Sequence, residues 1–230
     1  MPTRRATRFL SLAAVALAAC TSDGSSFGAF PEGWGYAQDT PPVTAEHGMV
    51  VTTDEVASRV GVAILQAGGN AVDAAIATGF ALAVVNPEAG NLGGGGFMMV
   101  RPANGEAAAL DYRERAPLAA TRDMYLDAEG NVTDRSLVGH LAVGVPGTVM
   151  GMWEAHQRFG TLPWSDLVAP AIELADGFEV HQRFRTNLVN SEAGIRLFET
   201  TEQTYLRDGE IPAIGAHYAQ PDLAGTLRRI

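Results

Sequence analysis

Gly68-Gly69-Asn70-Ala71-Val72-Asp73-Ala74-Ala75-Ile76-Ala77-Thr78-Gly79-Phe80-Ala81-Leu82-Ala83-Val84-Val85-Asn86-Pro87 is the stretch that decides the architecture. Its two glycines close whatever helix precedes them, because glycine tolerates the left-handed geometry of a helix end. Asn70 is a helix cap, and Asp73 puts a negative charge in the first turn, where the helix dipole favours it. From Ala71 to Val85 nearly every residue is small or apolar, with no polar stripe. A helix with no face for water lies between other layers of a domain. Asn86-Pro87 stops it.

Upstream, Met49–Thr53 reads as a short β-prone run, and Thr53 or Asp54 caps a helix whose Val56, Val60, Ile64 and Ala67 mark a buried face. Downstream, Phe97–Arg101 and Ala107–Tyr112 read as strands joined across Asn104-Gly105, a strong hairpin signal. Helices follow over Thr148–Phe159 and Ser165–Ala175, the latter ending at Gly177. Leu223, Leu227 and Ile230 begin another stripe after Pro221, without a cap or stop signal. That ending is expected of a chain whose fold continues beyond the sequence. Helices segregated from an antiparallel pair favour a layered α/β (α+β) class over a doubly wound sheet.

The 230 residues are 47% hydrophobic and 18% charged, the make-up of a globular chain. A net charge of −10 disfavours a nucleic-acid partner and leaves small molecules or positive surfaces. Arg4, Arg5 and Arg8 precede an apolar run, Phe9 to Ala19, too short to span a bilayer but built like an export signal. Leu17-Ala18-Ala19-Cys20 resembles a bacterial lipobox. The expectation is a lipoprotein signal peptide over 1–19, lipid attachment at Cys20 and an exported, periplasmic, membrane-anchored protein. A plain signal peptide with an incidental Cys is the alternative. Residues 20–45, rich in Ser, Gly and Pro, read as a flexible tether, and 46–230 as the domain. Cys20 is the one cysteine, so no disulfide supports the fold.

Two features invite a chemical reading. Gly90-Asn91-Leu92-Gly93-Gly94-Gly95-Gly96-Phe97 fits neither phosphate-loop spacing and precedes a strand, so it reads as a place where backbones pass closely. Asp111-Tyr112-Arg113-Glu114-Arg115 leaves the second strand with two arginines. Arg offers a charged fork suited to a carboxylate, yet a local ion-paired cluster on a solvated edge is the simpler reading of the residues alone. His47, His140, His156, His181 and His217 lack metal-ligand spacing. Gly-x-Ser-x-Gly is absent, and no Ser or Thr sits beside an activating group, so no catalytic residue, metal or cofactor is expected in this chain.

Taken together, Gly48-Met49-Val50-Val51, Ala67 to Ala75, Asn86 to Phe97, Asp111-Tyr112-Arg113-Glu114, Gly144-Val145-Pro146-Gly147-Thr148 and Phe159-Gly160-Thr161 resemble the start of the large subunit of gamma-glutamyltransferases. The resemblance implies an N-terminal nucleophile hydrolase fold, a four-layer αββα sandwich that is incomplete in this chain. It implies a precursor that cuts itself, and a Thr at the start of a small subunit as nucleophile, its own α-amino group serving as base. The γ-glutamyl group of glutathione would pass to that Thr, then to water or an acceptor amino acid or peptide. Neither a Thr-Thr-His processing site nor the small-subunit glycine pair is matched, so this chain alone is expected to be inactive. Arg113 falls at the family's arginine for the donor's α-carboxylate, which reverses the simpler reading for Arg113 and not for Arg115. A cephalosporin-acylase-like enzyme of the same fold, or a non-catalytic lipid-anchored binding protein, are the competing readings.

Overall fold

The computed structural model describes residues 42–230, so the expected signal peptide, Cys20 and nearly all of the tether lie outside the described residues. Residues Ala45–Ile230 form one compact unit. Its first helix, α1 (Glu55–Gln66), starts at Asp54, whose carboxylate accepts from Val56 N–H and Ala57 N–H. Gly68 follows at φ +93°, the left-handed turn the sequence predicts.

Helix α2 runs Ala71–Val85, the predicted span, with Asn70 and Asp73 forming a reciprocal capping box. Eleven of its residues are buried, on all sides, so it is the helix the domain is layered around. Helix α1 covers one flank, and α4 (Trp164–Asp176) covers another. The stripe by which α1 does this differs from the expected one. Ala57, Gly61 and Ile64 are buried, whereas Val56 and Val60 are only half-buried and Ala67 is exposed. The reason is close approach: a Cβ on Gly61 would lie 2.3 Å from Thr78 Oγ1 of α2. Small residues, not the branched ones, face the tightest contact.

Strands β1 (Phe97–Val100) and β2 (Ala108–Asp111) pair antiparallel, with Phe97 opposite Asp111 and Val100 opposite Ala108. Gly105, at φ +85°, closes the turn between them. Met98, Val100 and Leu110 pack toward the core, while Phe97 and Met99 point away and are exposed. Helix α3 (Thr148–Phe159), again as predicted, packs on α2 and β2. Met49–Thr53 is not a strand, and Val51 is 78% exposed. A β-prone sequence becomes a strand only where a partner supplies its ladder, and none of the described residues does.

Five further strands and helices complete the unit. They are β3 (Phe178–Glu179) paired with β4 (His217–Tyr218), and α5 (Gln182–Ile195), α6 (Glu199–Tyr205) and α7 (Pro221–Leu227). Helix α7 ends before the terminus, Arg228 N–H bonding Ala224 O at 3.0 Å, so the stripe at Leu223 and Leu227 is shorter than its pattern suggests. A buried chain of amides ties these parts to the foot of α2. Asn187 Nδ2 donates to Asn86 Oδ1 at 2.6 Å, Asn86 Nδ2 donates to Thr53 Oγ1 at 3.2 Å, and Gln220 Nε2 donates to Val84 O at 3.0 Å. Among the described residues the sheet consists of two short pairs, so the layered mixed class is seen as one helical layer with a hairpin upon it.

Candidate functional site

Three separated motifs meet at Tyr112. The ring lies against Gly96 of the glycine cluster, where a Cβ would come within 2.9 Å of it, and against Gly151 of α3, where a Cβ would come within 2.0 Å. Its carbonyl oxygen is just as crowded, since a Cβ on Gly147 would lie 1.9 Å away. Tyr112 N–H donates to Gly96 O at 3.0 Å, so the strand end cannot swing out. Burial pushes the Tyr112 phenol above its ordinary range and keeps it neutral.

The glycine cluster thus holds backbone against backbone, as its sequence implies. Gly94 O accepts from Gly147 N–H at 2.8 Å and Thr148 N–H at 3.0 Å. Asn91 Oδ1 in turn accepts from Gly94 N–H and from Thr148 Oγ1, both at 2.8 Å. Arg115 and Val145 exchange backbone hydrogen bonds, at 3.2 and 2.8 Å. Neither Tyr112 as the pivot nor Thr148 as a clasp was singled out by sequence. The signal that could have found them was the recurrence of glycine in two segments, 90–96 and 144–151, that lie far apart in the chain.

On this clamped backbone Arg113 and Arg115 line an open cavity of about 510 Å³. Tyr112, Val145, Met150, Glu154 and Arg158 also line it. Arg113 N–H donates to Asp111 Oδ1 at 3.0 Å, which fixes its main chain. Among the described residues, neither the Arg113 nor the Arg115 guanidinium makes a hydrogen bond or ion pair, and the paired cation of the cavity is Arg158, bonded to Glu154 at 2.6 Å. The local ion-paired cluster of Asp111, Arg113, Glu114 and Arg115 therefore does not form. Two permanent cations without partners, on a rigid backbone, are suited to binding an anion. No pair of nucleophile and base lines the same cavity, and no group of three His, Cys, Asp or Glu side chains gathers for a metal among the described residues.

A helical layer on a hairpin, with an arginine just beyond the second strand lining a cavity, defines a layered mixed α/β fold with a candidate anion site. The gamma-glutamyltranspeptidase family model matches residues 57–230, and the chain belongs to that enzyme family. It is 44% identical to the glutathione hydrolase proenzyme of Escherichia coli (strain K12), over 97% of this chain and 39% of that one. The crystal structure of Helicobacter pylori gamma-glutamyltranspeptidase superposes with a TM-score of 0.79 at 43% identity, covering 83% of this chain and 55% of that one. An acylase proenzyme of Pseudomonas sp. (strain V22) is less similar, 38% identical over 82% of this chain and 35% of its own length. The acylase reading is accordingly not favoured. The chain spans about a third of the length of the curated relatives it matches.

Proposed function

We propose that the full-length protein transfers the γ-glutamyl group of glutathione and related donors to water or to an amino-acid or peptide acceptor. The observation that carries this reading is Arg113, a guanidinium without a partner among the described residues, lining a cavity in a chain of this family. Its role is to hold the donor's α-carboxylate by two parallel N–H···O bonds, which fixes the distance from carboxylate to γ-amide carbonyl. Bond breaking falls to a Thr nucleophile at the start of a small subunit cut from the same precursor, with its α-amino group as base. Donors aimed at the developing oxyanion lower the barrier.

Replacing Arg113 with Ala in the full-length protein is expected to lower kcat/KM on a γ-glutamyl anilide by roughly 30- to 100-fold, chiefly through KM, the size of a charge-assisted hydrogen-bond pair. Unchanged kinetics would show that the donor is held elsewhere. Export and anchoring at Cys20 are also proposed, supported by the basic and apolar run before it and by its lipobox context. Fatty-acid labelling of the wild type that persists in Cys20→Ala would remove the anchor from this reading.

A further inference from the structure

Arg115 was left on the solvated edge by its sequence, and the family resemblance says nothing of it. Its geometry is more specific. It stands two residues beyond Arg113, just past the end of β2. Both line one cavity. Its main chain is pinned on both sides by the exchange with Val145, at 3.2 and 2.8 Å, and that of Arg113 by Asp111. The acids nearby are committed or turned away. Glu154 is bonded to Arg158, Asp111 accepts the Arg113 N–H, and the Glu114 Cβ lies where a side chain on Gly144 would have to go.

The cavity therefore presents two cations, each without an acidic partner among the described residues, in a protein whose net charge is −10. One carboxylate satisfies one guanidinium fork. A second fork, carried on a pinned backbone two residues away, suits a ligand with a second carboxylate.

We propose that Arg115 is a specificity-determining residue that binds the carboxylate at the leaving-group end of the donor. The site thereby prefers γ-glutamyl peptides over γ-glutamyl amides without that charge. This rests on the reading of Arg113 as the α-carboxylate clamp and adds the far end of the substrate to it. No covalent step changes: the same γ-amide bond breaks, and the departing amine carries its carboxylate away from Arg115.

The test uses the full-length protein and two donors measured by hydrolysis without acceptor. Glutathione carries the second carboxylate; a γ-glutamyl anilide does not. In Arg115→Gln the ratio of kcat/KM for glutathione over the anilide is expected to fall at least about tenfold, through KM rather than kcat. Arg115→Lys, which keeps a charge but not the fork, is expected to fall between the two. A ratio unmoved in both variants overturns the assignment, as does a change confined to the KM of an added acceptor dipeptide. A misfolded variant would depress both donors alike, which the ratio cancels. If the wild-type protein turns over neither donor, the γ-glutamyl reading itself fails, which is a distinct outcome.

Discussion

At the N-terminal end of α2 the Asp73 carboxylate is buried and surrounded by donors. It accepts from Asn70 N–H at 2.9 Å, from Thr161 Oγ1 and N–H, and from Leu162 N–H at 3.4 Å. At the end of β2, Arg113 and Arg115 are exposed and meet no acceptor among the described residues. Both regions are built on short motifs, and both are pinned through the backbone. They differ in what is left over. In the first, every charge finds its partner inside the fold, so its bonds go into stability. In the second, the backbone is fixed and the charge is held open, so the rigidity serves a ligand. An ionised group on a rigid frame without a counter-charge is the more informative of the two about function.

Four substitutions in the full-length protein would break or sharpen this contrast. The largest loss is expected for Asp73→Ala, which removes the Asp73 half of the capping box and strands the Asn70, Thr161 and Leu162 N–H groups, about 3 kcal/mol in all. It would appear as a lower urea midpoint. The same carboxylate gives a pH signature. Burial alone would raise its pKa, but the hydrogen bonds from Thr161, Asn70 and Leu162 outweigh that and leave it below the ordinary value. Its stabilisation is then complete above the unfolded pKa near ~4 and is lost as pH falls from there through the depressed folded value. Asp73→Asn should flatten that part of the stability profile; an unchanged slope would mean that Asp73 is not its source.

Next comes Gly151→Ala, whose methyl would press on the Tyr112 ring at 2.0 Å. Overpacking of this kind costs about 1–3 kcal/mol, and because Tyr112 carries Arg113 it should also raise donor KM. A change in stability without a change in KM would separate the pivot from the clamp. The smallest effect on unfolding is expected for Arg113→Ala, within about 0.5 kcal/mol of wild type, because an exposed side chain without a partner supports nothing. A large shift there would erase the distinction between the two regions.

Sequence pattern reached the elements whose cause is local. Helix α2 was legible because its cap, first-turn acid, apolar body and Asn86-Pro87 stop are consecutive, and the hairpin because Asn104-Gly105 sits between alternating runs. Helix α5 was not. It is capped by His181, an unusual cap, and buries only Phe184, Asn187, Leu188 and Ile195 among many polar residues. The α1 stripe was misread because hydrophobicity favours Val56 and Val60, whereas the packing distance to Thr78 favours Gly61. Arg113 could be named from a resemblance, but its lack of a partner could not, because Asp111 and Glu114 are plausible partners until their directions are known. The meeting of two glycine-bearing segments, 90–96 and 144–151, on Tyr112 is likewise a matter of contacts between distant parts of the chain.

The bonds between Asp73 and Thr161 also bear on the order in which the domain assembles. They join residues 88 apart, whereas the Asn70–Asp73 box closes within one turn. Local turns form within about a microsecond, while a loop of that length forfeits chain entropy before any contact rewards it. Helix α2 thus has its own cap before the rest of the layer arrives, and Phe159-Gly160-Thr161 docks onto an end already shaped to receive it. The carboxylate that starts the helix is the same one that later records whether α3 and α4 have closed over it.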